Sequence, residues 1–178
     1  MNTGLLIASP QTRDPNFERA VVLLCHHDDD GALGLVVNRL TSLSLADVFR
    51  QLEMPVEESD ERHLVHWGGP VEQGAGLLVF SGQVEEESGW NLPENIAVST
   101  SRERLEDIAR AETPFFLCLG YAGWGPGQLE EEIESGSWLY TEIQRALLFK
   151  TPVVHRYDLA LATLGLSTSQ VWMNPVDE

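Results

Sequence analysis

The sequence predicts one compact domain in which β-strands alternate with α-helices, and three observations carry that expectation. At 178 residues with 43% hydrophobic content, the chain can bury one sizeable core. Short segments rich in apolar and β-branched residues recur along it, separated by polar or glycine-bearing stretches. Between them, other segments place apolar residues at helical spacing behind a capping residue or a proline.

Residues 4–8, 20–26, 33–38, 63–67, 76–81, 96–99 and 115–119 read as strands. In the second of these, Val21, Leu23 and Cys25 alternate with Val22 and Leu24, so both faces are apolar and the strand should lie central and covered. Asp28-Asp29-Asp30-Gly31 then supplies the turn chemistry of a tight hairpin. A helix should start at Ser44, with Asp47 completing a capping box and Leu45, Val48, Phe49 and Leu52 on one face. Thr100-Ser101-Arg102-Glu103 repeats that logic ahead of Leu105, Ile108 and Ala109. A further helix should begin near Gln128. Near the end, Pro152 is expected at a first helical position, with Val153, Tyr157, Leu161 and Leu164 as the stripe and Gly165 as the stop. The acidic stretches 53–62 and 82–95 read as surface loops. The sequence carries no internal repeat and no low-complexity segment.

Charge narrows the function classes. The formal net charge is −17, and Lys150 is the single lysine. Such a field repels phosphate backbones, whereas nucleic-acid binders gain affinity from a basic face. Arg102, Arg104 and Arg110 cluster, but Glu103, Glu106 and Asp107 are interleaved with them, which is the pattern of a solvated helix face. Direct nucleic-acid binding is therefore disfavoured. No apolar stretch approaches the roughly 18 residues needed to span a bilayer, and Met1-Asn2-Thr3-Gly4-Leu5 lacks a basic segment followed by a long apolar run. A soluble, unexported protein without membrane contact is expected. Cys25 and Cys118 sit within predicted strands, where each should act as a small buried hydrophobe.

The richest stretch is 120–133, GYAGWGPGQLEEEI, in which glycines, a proline and an exposure-prone Trp124 link a buried strand to an amphipathic segment. A phosphate cradle is the natural suggestion, since it would present backbone N–H groups at a helix start. Two features oppose it. Gln128-Leu129 follow Gly127 where a nucleotide loop needs a lysine and a hydroxyl. Glu130, Glu131 and Glu132 then occupy the first turn and would each repel an anion by about 1 kcal/mol or more. Trp67-Gly68-Gly69-Pro70-Val71 reads as a sharp corner at a strand end. We expect Trp67, Gly69, Asn38, Trp124, Gly125, Gly127 and Gln128 to form the walls of a shallow contact groove, because glycine-aromatic motifs at strand ends are where sheets tend to place ligands.

Cys25-His26-His27-Asp28 offers a nucleophile, bases and an acid. Strand alternation puts Cys25 and His27 on one face and His26 on the other, with His27 serving the hairpin end and available to the contact surface. His63 and His66, three apart on a predicted strand, do not converge by themselves. The spacings of zinc, calcium and serine-hydrolase motifs are all missing, so no catalytic residue, metal ligand or cofactor is assigned.

Those motifs together resemble one family. GYAGWGPGQLEEEIESGSWL, with Gly4-Leu5-Leu6-Ile7-Ala8-Ser9-Pro10, Asp14-Pro15-Asn16-Phe17, 31–39 (GALGLVVNR) and Trp67-Gly68-Gly69-Pro70-Val71, looks like the AlgH/YqgE family of bacterial proteins. The motifs occur in the family's order and cover nearly the whole chain, down to Leu148-Phe149 and Leu164-Gly165. The resemblance implies an α+β fold, a bifurcated mixed β-sheet, partly barrel-like, packed around helices in a single domain over 1–178. It also implies a cytoplasmic protein under a transcriptional-regulator label, and it transfers no catalytic residue.

Two function classes follow. The first is a noncatalytic interaction or regulatory protein that engages a protein partner or small ligand through the glycine-tryptophan surface. The second is an enzyme or nucleotide-dependent protein whose polar groups converge only in three dimensions, drawing on His27, Asn38, Gln128 and Glu130. A perturbed titrating group in a cleft would favour the second.

Overall fold

The computed structural model describes residues 3–166; the remaining ends of the expected domain lie outside them. Ten strands form one mixed sheet: β1 (Gly4–Ala8), β2 (Val21–Asp28), β3 (Gly31–Val36), β4 (Leu40–Ser44), β5 (Leu64–Trp67), β6 (Val71–Ser81), β7 (Gly89–Leu92), β8 (Ile96–Ser99), β9 (Phe115–Trp124) and β10 (Trp138–Thr141). The helices are α1 (Leu45–Gln51), α2 (Glu103–Arg110), α3 (Gln128–Glu134), α4 (Arg145–Phe149) and α5 (Arg156–Thr163).

The strand order is β10-β1-β2-β3-β9-β6-β8-β7, with β5 joined to β9 and β4 to β5. Every pairing is antiparallel except β5 with β9, where His66 stands opposite Cys118 and Trp67 opposite Leu119. The fork is at β9. Its start pairs with β6 on one edge and β5 on the other, while Ala122, Gly123 and Trp124 continue onto β3. This is the expected α+β, bifurcated sheet, bent without closing into a barrel.

Three apolar clusters hold it. β2 is central, as its apolar faces predict: Val21, Leu23 and Cys25 join one cluster with Tyr157 and Leu161 of α5, and Val22 and Leu24 join a second with Trp124 and Leu129. A third cluster joins Phe49 of α1, Phe80 of β6 and Leu105 of α2. Burying a side chain such as Phe49 or Leu23 stabilises by about 1.5–3 kcal/mol. The Asp28–Gly31 hairpin forms, with Asp28 accepting from the Asp30 N–H. The Ser44–Asp47 capping box forms in both directions.

Several local expectations are corrected. β4, β7, β10 and α4 are elements that the hydrophobic pattern did not announce. β4 is mostly exposed, β7 lies within a stretch that reads as an acidic loop, and α4 is only one turn long. The two expected loops also contain the short 3-10 turns Glu58–Arg62, Glu86–Ser88 and Pro93–Asn95. α2 starts at Glu103 without a side-chain cap, because its N-cap position falls on Arg102, whose guanidinium offers no acceptor to the first helical N–H groups. Pro152 precedes the first helical turn, its ψ of 143° being extended, and a 3-10 turn Val153–His155 leads into α5.

Candidate functional site

The glycine-tryptophan motifs meet at the fork. A Cβ on Gly68 or Gly120 would collide with the carbonyl oxygen of Gly120 or Gly69 respectively, and one on Gly69 with the backbone of Tyr121. Trp124 lies three residues beyond Tyr121, about 10 Å along the strand. Contrary to its expected exposure, Trp124 is only 7% exposed. Its indole N–H donates to Glu132 Oε1 at 3.0 Å, and the Trp138 indole donates to the same oxygen at 2.9 Å. Gln128 accepts the Gly125 N–H through Oε1 and donates to Glu132 Oε2 through Nε2. Gly127 supplies the left-handed turn into α3, at φ 74° with open space around its Cα.

The remaining predicted residues are held by local partners. Asn38 accepts from the Val21 N–H and donates to Arg19 O, which ties β2 to the chain leaving β3. The Trp67 indole donates to Gln73 Oε1, and the Arg39 guanidinium lies 5.3 Å over its ring. The polar atoms of Asn38, Trp67 and Trp124 are each committed to partners outside the expected groove.

A β-bulge overturns the face assignment around Cys25. Leu24 stands opposite Gly34 and His26 opposite Leu33, so Cys25 is the extra residue and alternation reverses after it. His27 stands opposite Ala32, on the side of the second cluster, whereas Cys25 belongs to the first. There His27 Nε2 reaches Glu130 Oε1 at 3.1 Å, and this hydrogen bond holds the Glu130 carboxyl below its ordinary range. Burial raises both cysteine thiols far above neutral pH, so neither is a ready nucleophile.

A concave site with a buried charge lies elsewhere. A cavity of about 490 Å³ opens between β5, β9, α4 and the start of α5, lined by His63, His66, Phe115, Phe116, Phe149 and Arg156 among others. Its floor carries a buried cation, since Arg156 is 6% exposed. Arg156 Nε donates to Thr151 O at 2.9 Å, and Nη1 donates to Val37 O at 2.6 Å and to His66 Nε2 at 3.1 Å. No carboxylate pairs with it among the described residues. Because Nε2 of His66 accepts, its proton sits on Nδ1, a buried atom without a partner. Burial first, then Arg156 and His63, lowers the His66 pKa to about 3. Burial likewise lowers the pKa of Arg156 to about 10. His66 stacks on Phe116 at 4.2 Å and His63 on Phe115 at 4.6 Å.

None of the predicted contact residues lines this cavity. His63 and His66 were visible in the sequence but did not converge alone; the missing member is Arg156, brought in by a helix ninety residues downstream of His66. One signal could have found it. Residues 153, 156, 157, 160, 161 and 164 follow helical spacing, so Arg156 occupies the apolar stripe of α5, where a charge requires an explanation.

Comparison with known proteins gives the chain its relatives. The AlgH-like family model matches residues 5–169. A UPF0301 protein from Alcanivorax borkumensis is 39% identical over 170 residues, covering 94% of this chain and 90% of the relative. Another from Paracoccus denitrificans is 40% identical over 168 residues, covering 91% and 88%. The solution structure of the AlgH protein from Pseudomonas aeruginosa matches with a TM-score of 0.79 at 36% identity, covering 94% of this chain and 90% of that one. Protein DIP2367 from Corynebacterium diphtheriae, 21% identical with a TM-score of 0.69 over 92% of this chain and 87% of that one, shares the fold.

Proposed function

The chain belongs to the AlgH-like family, and from that premise we propose that it is a noncatalytic interaction or regulatory protein of the cytoplasm, acting through a small-ligand contact in the Arg156 cavity and not by direct DNA binding. The observation that carries this reading is the charge of Arg156, buried at the floor of a cavity with only neutral partners. A buried charge without a counter-ion costs several kcal/mol, a penalty that a ligand of opposite sign relieves. The net charge of −17 opposes approach to a nucleic-acid backbone. His66 is a perturbed titrating group in a cleft, but the direction of its shift supports binding over catalysis: an imidazole with a pKa near 3 is too weak a base to take a proton at neutral pH.

The test is a two-dimensional amide spectrum of the protein, titrated with pooled nucleotides and metabolites and then with duplex DNA at low ionic strength. Shifts confined to His66, Phe116, Phe149 and Arg156 are expected from the pools and none from DNA. Salt-sensitive duplex binding, or silence of the cavity towards every pool, would sink the reading.

One observation favours the alternative of an enzyme or nucleotide-dependent protein near the glycine-tryptophan loop, namely the contact of His27 with Glu130 in the first turn of α3. Asn38, bound to backbone groups elsewhere, does not join them. Turnover of a pooled compound that His27→Ala abolishes and Arg156→Met leaves intact would establish that alternative.

A further inference from the structure

We propose that the Arg156 cavity selects a small organic monoanion, a carboxylate carried on an apolar body, with the carboxylate on the guanidinium and the body along Phe115, Phe116 and Phe149. This rests on the reading of the cavity as a ligand site and names the chemistry of its occupant.

The hydrogen-bond inventory of Arg156 sets the polar end. Of the five N–H groups of a guanidinium, the Nε hydrogen and both Nη1 hydrogens are directed at Thr151 O, Val37 O and His66 Nε2. The two hydrogens on Nη2 have no acceptor among the described residues. They match an anionic oxygen, and charge-assisted bonds of this kind are roughly twice as strong as neutral ones. The fork cannot grip a carboxylate through Nη1 and Nη2 together, because Nη1 is committed to the protein. Contact through Nη2 alone suits one carboxylate oxygen.

Charge count and lining separate a carboxylate from a phosphate. The floor offers one buried positive charge, with His66 held neutral beside it by burial and by Arg156 itself. A monoanion neutralises that charge. A phosphate dianion would leave a surplus negative charge in a site of low dielectric, within a protein whose net charge is already −17. Arg62 at the rim is exposed and makes no ion pair among the described residues, so it can steer an anion inward at little cost. Most of the wall is apolar: Leu40, Pro114, Phe115, Phe116, Leu148 and Phe149. Inorganic anions leave that surface wet, whereas an apolar body covers it and removes it from water.

The experiment titrates the wild-type protein, at constant ionic strength, with phenylacetate, its neutral isostere phenylacetamide, acetate and inorganic phosphate. Amide shifts at His66, Phe116, Phe149 and Arg156 report binding. Phenylacetate is expected to bind at least about tenfold more tightly than each of the other three, since each lacks the charge, the apolar body or the matching valence. Arg156→Met should abolish the preference for acid over amide, and Arg156→Lys should retain part of it. Because Arg156 also ties α5 to the chain after β3, Arg62→Ser is the second variant: at the exposed rim it should leave the fold intact and weaken phenylacetate about two- to fivefold, with a shallower salt dependence. Equal binding of acid and amide at these residues would overturn the anion inference while leaving the cavity a ligand site. Tighter binding of phosphate would overturn the carboxylate assignment. Silence towards all four probes would overturn the inference as well, and the pooled-metabolite titration then decides independently whether the cavity binds anything.

Discussion

Gly69 and Gly120 cross backbone to backbone at the fork of the sheet, each so close to the other's strand that neither position has room for a Cβ. Gly120 also holds φ at 80°, where an L side chain is strained. Gly69→Ala and Gly120→Ala are therefore expected to destabilise the fold by roughly 3 kcal/mol or more, since relief would require two strands to separate. Gly127 is the contrasting position: its φ of 74° is left-handed, but nothing lies within 4 Å of an added Cβ. Gly127→Ala should cost only about 1–2 kcal/mol. Urea unfolding of the three variants checks the order, and equal losses would remove the strand crossing as the reason for the glycine motif.

The Glu132 carboxylate is a structural anchor. It accepts both indole N–H groups, from Trp124 and Trp138, on one oxygen and Gln128 on the other. Glu132→Ala leaves two largely buried donors unmatched and should cost about 2–4 kcal/mol, with a shift in tryptophan emission. Glu132→Gln keeps an acceptor oxygen for the indoles and should cost about 1 kcal/mol. If the two variants unfold at the same urea concentration, the indole bonds contribute nothing.

These two cases show what was legible in the sequence. Alternating apolar residues predicted the central position of β2, and the Ser44–Asp47 capping box was readable because its partners are three residues apart. The glycine corner and the glycine loop were both visible and expected side by side, but not their crossing backbone to backbone, because it joins residues some fifty positions apart. Glu130 to Glu132 read as a helical turn that repels anions, and the sequence cannot show that Trp124 and Trp138 both come to meet Glu132. The bulge at Cys25 reverses a strand's faces without changing its composition. The cavity was hidden for a similar reason: His63 precedes β5, His66 lies on it and the cation lies on α5, and only the parallel pairing of β5 with β9 seats His66 against Phe116.

His66 makes stability depend on pH. Its folded pKa, about 3, lies below its ordinary value of 6.5. As pH falls below 6.5 the unfolded chain takes up a proton that the folded one refuses, so stability is lost from that point downward until the folded imidazole protonates. Between pH 7 and pH 5 the loss from this group is about 2 kcal/mol. His66→Asn should flatten the stability profile over that interval by the same amount. Parallel profiles for the variant and the wild type would mean that His66 titrates normally.

Asp60 and Arg110 give an effect whose pH dependence runs in the carboxylate range. Asp60 is buried and receives N–H donors from Arg110 Nη1 at 3.0 Å and Nη2 at 2.9 Å, and from the Glu57 backbone at 2.8 Å. Burial pushes its carboxyl upward, but Arg110 and the Glu57 N–H together hold it below the ordinary value. A depressed folded pKa means that the stabilisation is present above the unfolded value of about 3.8 and is lost as pH falls through the folded one. Arg110→Leu leaves the carboxylate buried and unpaired, which should cost about 3–5 kcal/mol at pH 7. At lower pH the variant can protonate Asp60 and remove the stranded charge, while the wild type loses its ion pair. The gap between the two should therefore narrow steadily below about pH 5, and urea unfolding at pH 7, 5 and 3 measures it. A gap that stays constant across that range would assign the loss to the packing of Arg110 over Phe49, whose ring centroid lies 5.1 Å from the guanidinium carbon, and not to the charge.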